Sequence, residues 1–523
     1  MKKNIIRVSV LVLMFSLGSC SEDFLKNSPY TQQVEENFYK TPEDGFKGLV
    51  AVYDILQREG YGGALMNTEI ASDNCYGGFG TADSNVILEW DRFQFITDKE
   101  MNDPIWESAY IGIFRANVLI KNLDNIDWGG DTQLRTQYEA EARFLRAYFH
   151  FQLARVFGDI VPLDHPLTTS EFNSPRASAD VTYALIANDF KFAADNLGNE
   201  NYSTPGNTNY GRVTKWAAEA YLGKAFLFYT DYYSKPDLAG VVTKAEAVTY
   251  INDVVNNSGH DLVNNFASLW LASAASEGVT YAGEGNTEMV FAIRFNSSGN
   301  ANWNLHEGNR FSVNISTRGG DLAPYGQGWG GAPVTPSLFN AYTPGDTRRD
   351  ATIIDYQGEG LAFDADARGQ RQYTGYAWKK LTRVLDPAFT GDFQIDNYED
   401  IPLIRFSDVL LTAAELNLDS NAGFAQTCLD RVRSRAFGNS TSNVPVNITS
   451  IMNERRLELA LEGHRYFDLI RQSMDITTSA INATNMGGEF TVNFRPETLG
   501  FFPLPQSQIL LSNGSITQNI GWQ

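Results

Sequence analysis

The chain has 523 residues, a formal net charge of −21 and a sequence pI near 4.7. This acidic balance argues against nucleic acid or another polyanion as ligand, because binding a polyanion requires a basic face that displaces counterions. Three cysteines in so long a chain exclude a fold framed by disulfides. Aromatic residues make up 13% of the chain and include 24 Tyr and 9 Trp.

The N-terminus has the pattern of a secretion signal. Lys2 and Lys3 give a positive start, residues 10–17 form an apolar run too short to span a bilayer, and small residues precede Cys20. The pattern resembles a bacterial lipoprotein signal peptide, which is cleaved before a cysteine whose thiol receives a diacylglycerol. We therefore expect residues 1–19 to be removed and Cys20 to be lipidated. The alternative is an ordinary signal peptide followed by a chance cysteine.

Ser-Glu-Asp follows Cys20 directly and is similar to the acidic signal that sends some lipoproteins to the outer face of the outer membrane. No later stretch approaches the apolar length of a membrane span, so acyl chains alone are expected to hold the protein to the membrane. Cys75 and Cys428 are the remaining cysteines. We interpret them as small packing residues, with a disulfide between them as the alternative.

A helix within residues 141–163 is predicted to organise the fold. Its apolar residues cover two faces, which indicates a helix inside an array, and Gly158 and Pro162 predict its end after four or five turns. Apolar periodicity predicts further helices at about 42–59, 106–120, 180–197, 212–230, 244–256, 407–418, 421–436 and 449–472. Taken in pairs, they resemble tetratricopeptide-like hairpins, although the motif residues of a strict repeat are absent.

The segment 258–401 has a different character. Ten glycines fall between residues 283 and 331, and the β-like run 288–295 is short. Long irregular segments on a rigid scaffold often carry binding residues. We expect one domain at 20–523, with a helical scaffold at about 40–257 and 402–472 and a loop-rich binding region at about 258–401.

Arginines and carboxylates alternate at helical spacings near the C-terminus, and we predict that they form structural ion pairs. The arginines are Arg405, Arg455, Arg456 and Arg465, and the acids are Asp408, Glu454, Glu458, Glu462 and Asp468. Asn117 lies in an apolar stripe, and we predict that backbone groups satisfy its buried amide. The alternative for Asn117 is a ligand contact.

Two C-terminal segments carry a family likeness. They read IPLIRFSDVLLTAAE at 401–415 and NERRLELALEGHRYFDLIR at 453–471, and residues 143–162 and the N-terminal cysteine pattern fit the same family. The chain resembles SusD/RagB-like outer-membrane lipoproteins over nearly its whole length. The resemblance implies a mostly α SusD-like fold with short strands in a loop-rich region. It also implies a glycan-binding protein that passes oligosaccharides to a SusC-like TonB-dependent transporter.

Two loop regions are candidates for the sugar site. The family usually draws its aromatic platform from regions that correspond here to 73–90 and 301–378. Trp303 and Trp329 lie in Asn/Gly-rich loops where no period would bury them, and aromatic faces suit sugar rings. The full candidate set is Trp303, Trp329, Tyr325, Asp73, Asn74, Tyr76, Trp90 and Trp378. The alternatives are loop packing for the indoles and a turn role for the Asp-Asn pair.

No catalytic motif stands out. G-x-S-x-G and H-E-x-x-H are absent, and the five histidines are too scattered for a local metal pattern. Residues 364–369 are similar to the start of a calcium loop, but Gly375 stands where the bidentate glutamate belongs. We predict a neutral-glycan-binding protein with no enzyme activity, cofactor or metal. A RagB-like peptide-capturing lipoprotein is the main alternative, and a surface glycoside hydrolase is the weaker one.

Overall fold

Helices dominate the fold. A computed structural model describes residues 38–60, 63–95, 102–202, 211–297, 302–303, 307–320, 322–386, 389 and 391–523. The predicted lipidation site, Cys20, and the signal segment before it lie outside these residues. Among the helices described, none is both long and apolar enough to cross a membrane.

The helices of the N-terminal half are α1 (Pro42–Tyr53), α2 (Ala64–Ile70), α3 (Leu88–Arg92), α4 (Asp103–Asn122), α5 (Thr132–Phe157), α6 (Ala179–Asn196), α7 (Lys215–Tyr232) and α8 (Lys244–Asn257). The central region holds α9 (Leu271–Glu277), β1 (Met289–Ile293), α10 (Phe311–Ile315), α11 (Pro336–Ala341), α12 (Arg348–Thr352), β2 (Ile353–Asp355) and β3 (Tyr376–Trp378). The C-terminal part contains β4 (Ile401–Arg405), α13 (Phe406–Asn417), α14 (Ala422–Phe437), α15 (Ile448–Glu458), α16 (Arg465–Gln472), α17 (Met474–Asn482) and α18 (Gln506–Leu511).

Helix α5 is the centre of the scaffold. It packs against α1, α4 and α6, and its residues from Tyr138 to Phe157 are almost all buried, as two apolar faces predict. Gly158, with φ +72°, ends the helix where the sequence predicts. The helix begins earlier than predicted and is about seven turns long. Its first turns are polar and carry no apolar stripe, but Asp131 caps them and Arg135 pairs with Glu139 at 2.9 Å.

The scaffold is an array of stacked helices. In chain order, α4, α5, α6, α7 and α8 each pack against the next, and α13 packs against α8 and α14. The array joins both halves of the chain in one hydrophobic core. The predicted helices exist within a few residues of their predicted bounds, apart from α5, the last one and the helix predicted at 42–59. That helix is α-helical only to Tyr53 and continues as a 3-10 helix, Asp54–Gly60. The prediction of a mostly helical fold is therefore confirmed.

The last helix is not continuous. The predicted helix at 449–472 is two helices, α15 and α16, separated by a break in which Leu461 and Gly463 have φ of +65° and +78°. The amide of Gly463 donates to the Glu69 carboxylate at 2.8 Å instead of to a helical carbonyl. The prediction of one helix was wrong because its apolar period continues through a break that a distant residue stabilises.

The central region contains two small antiparallel sheets. Strand β1 pairs with β4, with Ile293 opposite Ile401, and β2 pairs with β3, with Ile353 opposite Trp378. The short strand predicted at 288–295 is confirmed. Its partner strand, β4, belongs to the C-terminal segment 401–415. The β1–β4 pair therefore joins the loop-rich region to the scaffold.

A buried ion-pair network surrounds Arg405 at the end of β4. The guanidinium donates to Glu288, to Glu458 at 2.9 Å and to Glu462 at 2.7 Å, and Lys380 pairs with Glu462 at 2.7 Å. Further buried pairs join Arg455 to Asp408 and Asp468, and Arg348 and Arg433 to Glu454. The predicted structural ion pairing is confirmed for Arg405 and Arg455, whereas Arg456 and Arg465 pair with Asp73 instead of the predicted acids. Removing one partner from such a network is costly because it leaves an uncompensated buried charge.

Candidate functional site

Trp303 and Trp329 form a parallel pair of indoles. Their ring centroids are 6.3 Å apart and their planes differ by 7°. Trp303 is 40% exposed, and Trp329 is half-buried behind it. The loops at 302–303 and 326–331 thus bring together two indoles for which the sequence offered no periodic burial. Part of the Trp303 indole is therefore open to solvent in the loop-rich region.

Arg310 holds the exposed indole in place. Its guanidinium carbon lies 5.2 Å from the centroid of Trp303, and its Nη2 donates to the Asn302 carbonyl at 3.2 Å. At the start of α10 the side-chain oxygen of Asn309 accepts from the amide of Phe311 at 2.8 Å, which fixes the backbone on both sides of the buried Arg310. A cation over an indole face is favourable by about 0.5–2 kcal/mol. The sequence carries little signal for Arg310, which stands before a short apolar run.

The glycines around Trp329 permit close backbone packing. A Cβ on Gly328 would lie 2.4 Å from Cβ of Ser316, and one on Gly331 would lie 2.5 Å from the ring of Phe79. The amide of Trp329 donates to the Val313 carbonyl at 2.8 Å. The same glycines that predicted an irregular loop therefore also allow this loop to pack closely against its neighbours.

Polar side chains lie next to the indole pair. Arg318 donates to the carbonyl of Trp329 at 3.0 Å and pairs with Asp83 at 2.9 Å, and both charged side chains are partly exposed. The amide of Gln370 donates to the Gly330 carbonyl at 2.9 Å. An apolar face bordered by donors and acceptors matches a ligand that has apolar ring faces and peripheral hydroxyls.

Four other aromatic candidates lie in the interior. Trp90 packs on Phe502 with centroids 4.3 Å apart, and Trp378 meets Phe311 edge to face at 5.5 Å. The hydroxyl of Tyr76 donates to the Thr484 carbonyl at 2.7 Å, and that of Tyr325 donates to Glu359. The buried rings are Tyr76, Trp90, Tyr325 and Trp378. Their assignment as sugar contacts is corrected, because each ring fills a cavity of the core and offers no face to a surface ligand.

Asp73 and Asn74 are also structural. Asp73 pairs with Arg465 at 2.7 Å and with Arg456 at 2.9 Å, and Asn74 donates to Glu69 at 2.9 Å. Burial opposes ionisation of Asp73, but the two arginines outweigh burial and lower the pKa of this carboxyl. Both side chains are buried, so the assignment of this loop to ligand hydroxyls is corrected to a role in joining α2 to α15 and α16.

Asn117 serves the scaffold, as predicted. Its amide donates to the carbonyls of Leu163 at 3.0 Å and His165 at 3.2 Å, and its carbonyl accepts from Arg146 at 2.6 Å. Over the described part of the chain, no three His, Cys, Asp or Glu side chains form a group suited to a metal ion. Asp364 accepts from the amide of Ala367 at 3.0 Å, which is a turn contact.

Family models match both halves of the chain. A model described as "SusD family" matches residues 287–522, and one described as "Starch-binding associating with outer membrane" matches residues 23–227. A SusD-like protein of Bacteroides ovatus is 25% identical over 501 residues, which cover 90% of this chain and 82% of that protein. A SusD-like protein of Formosa agariphila is 25% identical over 545 residues and covers 99% of both chains.

Solved structures share the fold. A structure titled "Laminarin binding SusD-like protein" has 28% identity and a TM-score of 0.77, and the alignment covers 92% of this chain and all of that one. Surface glycan-binding protein A from Bacteroides fluxus has 24% identity and a TM-score of 0.78 over the same shares. The two family models together span most of the sequence, and the solved structures have the same helical architecture. The chain therefore belongs to the SusD/RagB-like family.

Proposed function

We propose that this protein binds a neutral glycan at the cell surface. The observation that carries the proposal is the parallel pair of Trp303 and Trp329, whose outer indole is 40% exposed. The C–H face of a sugar ring packs on such a flat apolar surface, while its hydroxyls bond to polar groups at the edge. Asp83 and Arg318 provide those polar groups next to the pair. The net charge of −21 favours a neutral ligand over an acidic one.

The names of a solved relative and of a matching family indicate the first ligands to test. The solved relative with 28% identity is named for laminarin, and one of the matching family descriptions names starch. Both are neutral polysaccharides of glucose. We propose a ligand of this class for the indole pair, with the linkage to be fixed by experiment.

The cellular role follows from the family and from the N-terminal pattern. We propose that Cys20 is lipidated, that the protein is held at the outer membrane facing the exterior, and that it delivers oligosaccharide to a SusC-like TonB-dependent transporter. In this role the protein captures its ligand and does not cleave it. Co-purification of the transporter with a tagged copy of this protein from its native membrane tests the partnership.

A binding screen tests the function. Purified protein is run in native gels containing laminarin, starch or an acidic polysaccharide, and a mixed peptide library is tested by calorimetry. We expect retardation by a neutral glucan and none by the acidic polymer. Binding to peptides without retardation by any glycan would contradict the proposal and favour the peptide-capturing alternative.

A further inference from the structure

Tyr373 and Phe363 form a second parallel pair of rings elsewhere in the loop-rich region, with an arginine against the inner ring. Tyr373 is 37% exposed, and its ring is parallel to that of Phe363 within 12°, with centroids 5.4 Å apart. The guanidinium carbon of Arg368 lies 5.2 Å from the centroid of Phe363, as that of Arg310 lies 5.2 Å from Trp303. Each place thus combines an exposed ring, a parallel ring beside it and an arginine against the ring pair.

Arg318 connects the two places. It donates to the carbonyl of Trp329 at 3.0 Å and to the carbonyl of Arg368 at 2.9 Å, and Arg368 donates back to the carbonyl of Arg318 at 3.0 Å. The side chains of Arg318 and Asp83 are 22% and 42% exposed and pair at 2.9 Å. A partly exposed ion pair between two aromatic surfaces offers both donors and acceptors to sugar hydroxyls.

Gln370 limits the distance between the two aromatic surfaces. Its side chain donates to the carbonyl of Gly330, the residue after Trp329, at 2.9 Å. Three peptide units separate Gln370 from Tyr373, so their Cα atoms are at most about 11 Å apart. Tyr373 therefore lies within a few sugar-ring lengths of the loop that carries Trp329.

We infer that the glycan-binding surface extends from Trp303 and Trp329 across the Arg318–Asp83 pair to a second stacking position at Tyr373. The surface then binds a chain of several neutral sugar residues more tightly than a mono- or disaccharide. This inference rests on the proposed function, because it needs the indole pair to bind glycan. Tyr373 adds contact only for a chain long enough to reach it, so its contribution depends on chain length.

A length series tests the inference. Wild-type protein, Trp303→Ala and Tyr373→Ala are titrated by calorimetry with laminaribiose, laminaritetraose, laminarihexaose and laminarin, and in parallel with the matching maltose series and starch. We expect Trp303→Ala to weaken binding at every length. Tyr373→Ala should match wild type for the disaccharide and bind the longest ligands about 5- to 10-fold more weakly.

Three further variants separate stacking from packing. Tyr373→Phe keeps the flat ring and should bind like wild type. Tyr373→Leu keeps an apolar contact with Phe363 but has no flat face. It should show the same length-dependent loss of binding as Tyr373→Ala, and it replaces that variant if Tyr373→Ala folds poorly. Phe114→Ala removes a ring on α4 that is 56% exposed and should change neither series.

The outcomes distinguish the inference from the function on which it rests. Binding that depends on Trp303 while both Tyr373→Ala and Tyr373→Leu match wild type for the longest ligands would overturn the inference alone. Equal weakening of all lengths by Tyr373→Leu would also overturn it. Wild-type protein that binds neither series would contradict the proposed function and the inference together.

Discussion

Asp73 and Arg465 form a bidentate ion pair in the interior of the protein. Nε and Nη2 of the arginine donate to the two carboxylate oxygens at 2.7 and 3.0 Å. Arg456 adds a third contact to Asp73 at 2.9 Å. One carboxylate in the loop after α2 thus pairs with two arginines of the C-terminal segment 453–471. The loop that sequence reasoning assigned to the ligand instead joins the two ends of the chain.

We predict that Asp73→Ala strongly destabilises the fold. The change leaves two largely buried arginines without this carboxylate, at a cost of about 3–5 kcal/mol in the free energy of unfolding. Arg456→Ala should cost less, because Asp73 keeps its bidentate pair with Arg465. Urea unfolding followed by circular dichroism measures both. Equal midpoints for Asp73→Ala and wild type would show that the pair is not a net contributor to stability.

Glu69 is predicted to make stability depend on pH. Burial raises the pKa of its carboxyl to about 7, although hydrogen bonds from Asn74 and Gly463 oppose this shift. Because the folded pKa lies above the unfolded value of 4.5, this contribution is complete below about pH 4.5 and is lost as pH rises to about 7. Glu69→Gln removes a carboxyl group that releases a proton on unfolding in this range. The free energy of unfolding should therefore fall less steeply between pH 5 and 7, by at most the slope that one proton contributes.

The measurement is a set of urea unfolding curves across that pH range. Burial also raises the pKa of Glu284 to about 7, so some slope should remain in the Glu69→Gln variant. Identical slopes for variant and wild type would place the Glu69 carboxylate in contact with water or with an additional positive charge.

The scaffold was predictable wherever packing follows a local period. The helices α6, α8 and α14 are amphipathic within single segments, so their bounds can be read from the sequence. The break between α15 and α16 could not be read, because Gly463 makes its deciding hydrogen bond with Glu69, nearly four hundred residues away. Local helix propensity cannot predict a contact with so distant a residue.

The same difference between local and distant contacts decides which properties of the candidate site residues could be predicted. The exposure of Trp303 agrees with its glycine and asparagine neighbours, which offer no core for an indole. The burial of Trp90 and Asp73 was missed because their partners, Phe502 and Arg465, come from the other end of the chain. An aromatic or acidic residue in a loop is therefore a weak signal until the segment that packs over it is known.

Lipidation is predicted at Cys20, from the apolar run and small residues before it. Cys20→Ala should leave an uncleaved precursor that takes up no labelled palmitate in cells, because no thiol is available at the cleavage site. Cys428→Ala, which removes a buried thiol, is the matched control and should label normally. Undiminished labelling of the Cys20 variant would refute the assignment.

Binding without turnover is the expected behaviour of the purified protein. A glycosidase needs two carboxyl groups placed on either side of a scissile bond, and the indole pair instead borders Asp83, which is already paired with Arg318. Incubation with the best-bound glycan should release no new reducing ends over many hours. Product formation that survives repurification and disappears in Asp83→Asn would establish a hydrolase.

Calorimetry of Trp303→Ala with the glycan selected by the screen tests whether the indole pair of Trp303 and Trp329 binds glycan. Loss of the exposed face should weaken binding by about 1–3 kcal/mol, roughly 5- to 150-fold in Kd. The melting temperature should fall only slightly, because Trp303 is 40% exposed and its contacts lie within the loops, and Phe114→Ala should affect neither quantity. A lowered melting temperature with unaltered Kd would mean that Trp303 packs a loop onto the scaffold and binds no ligand.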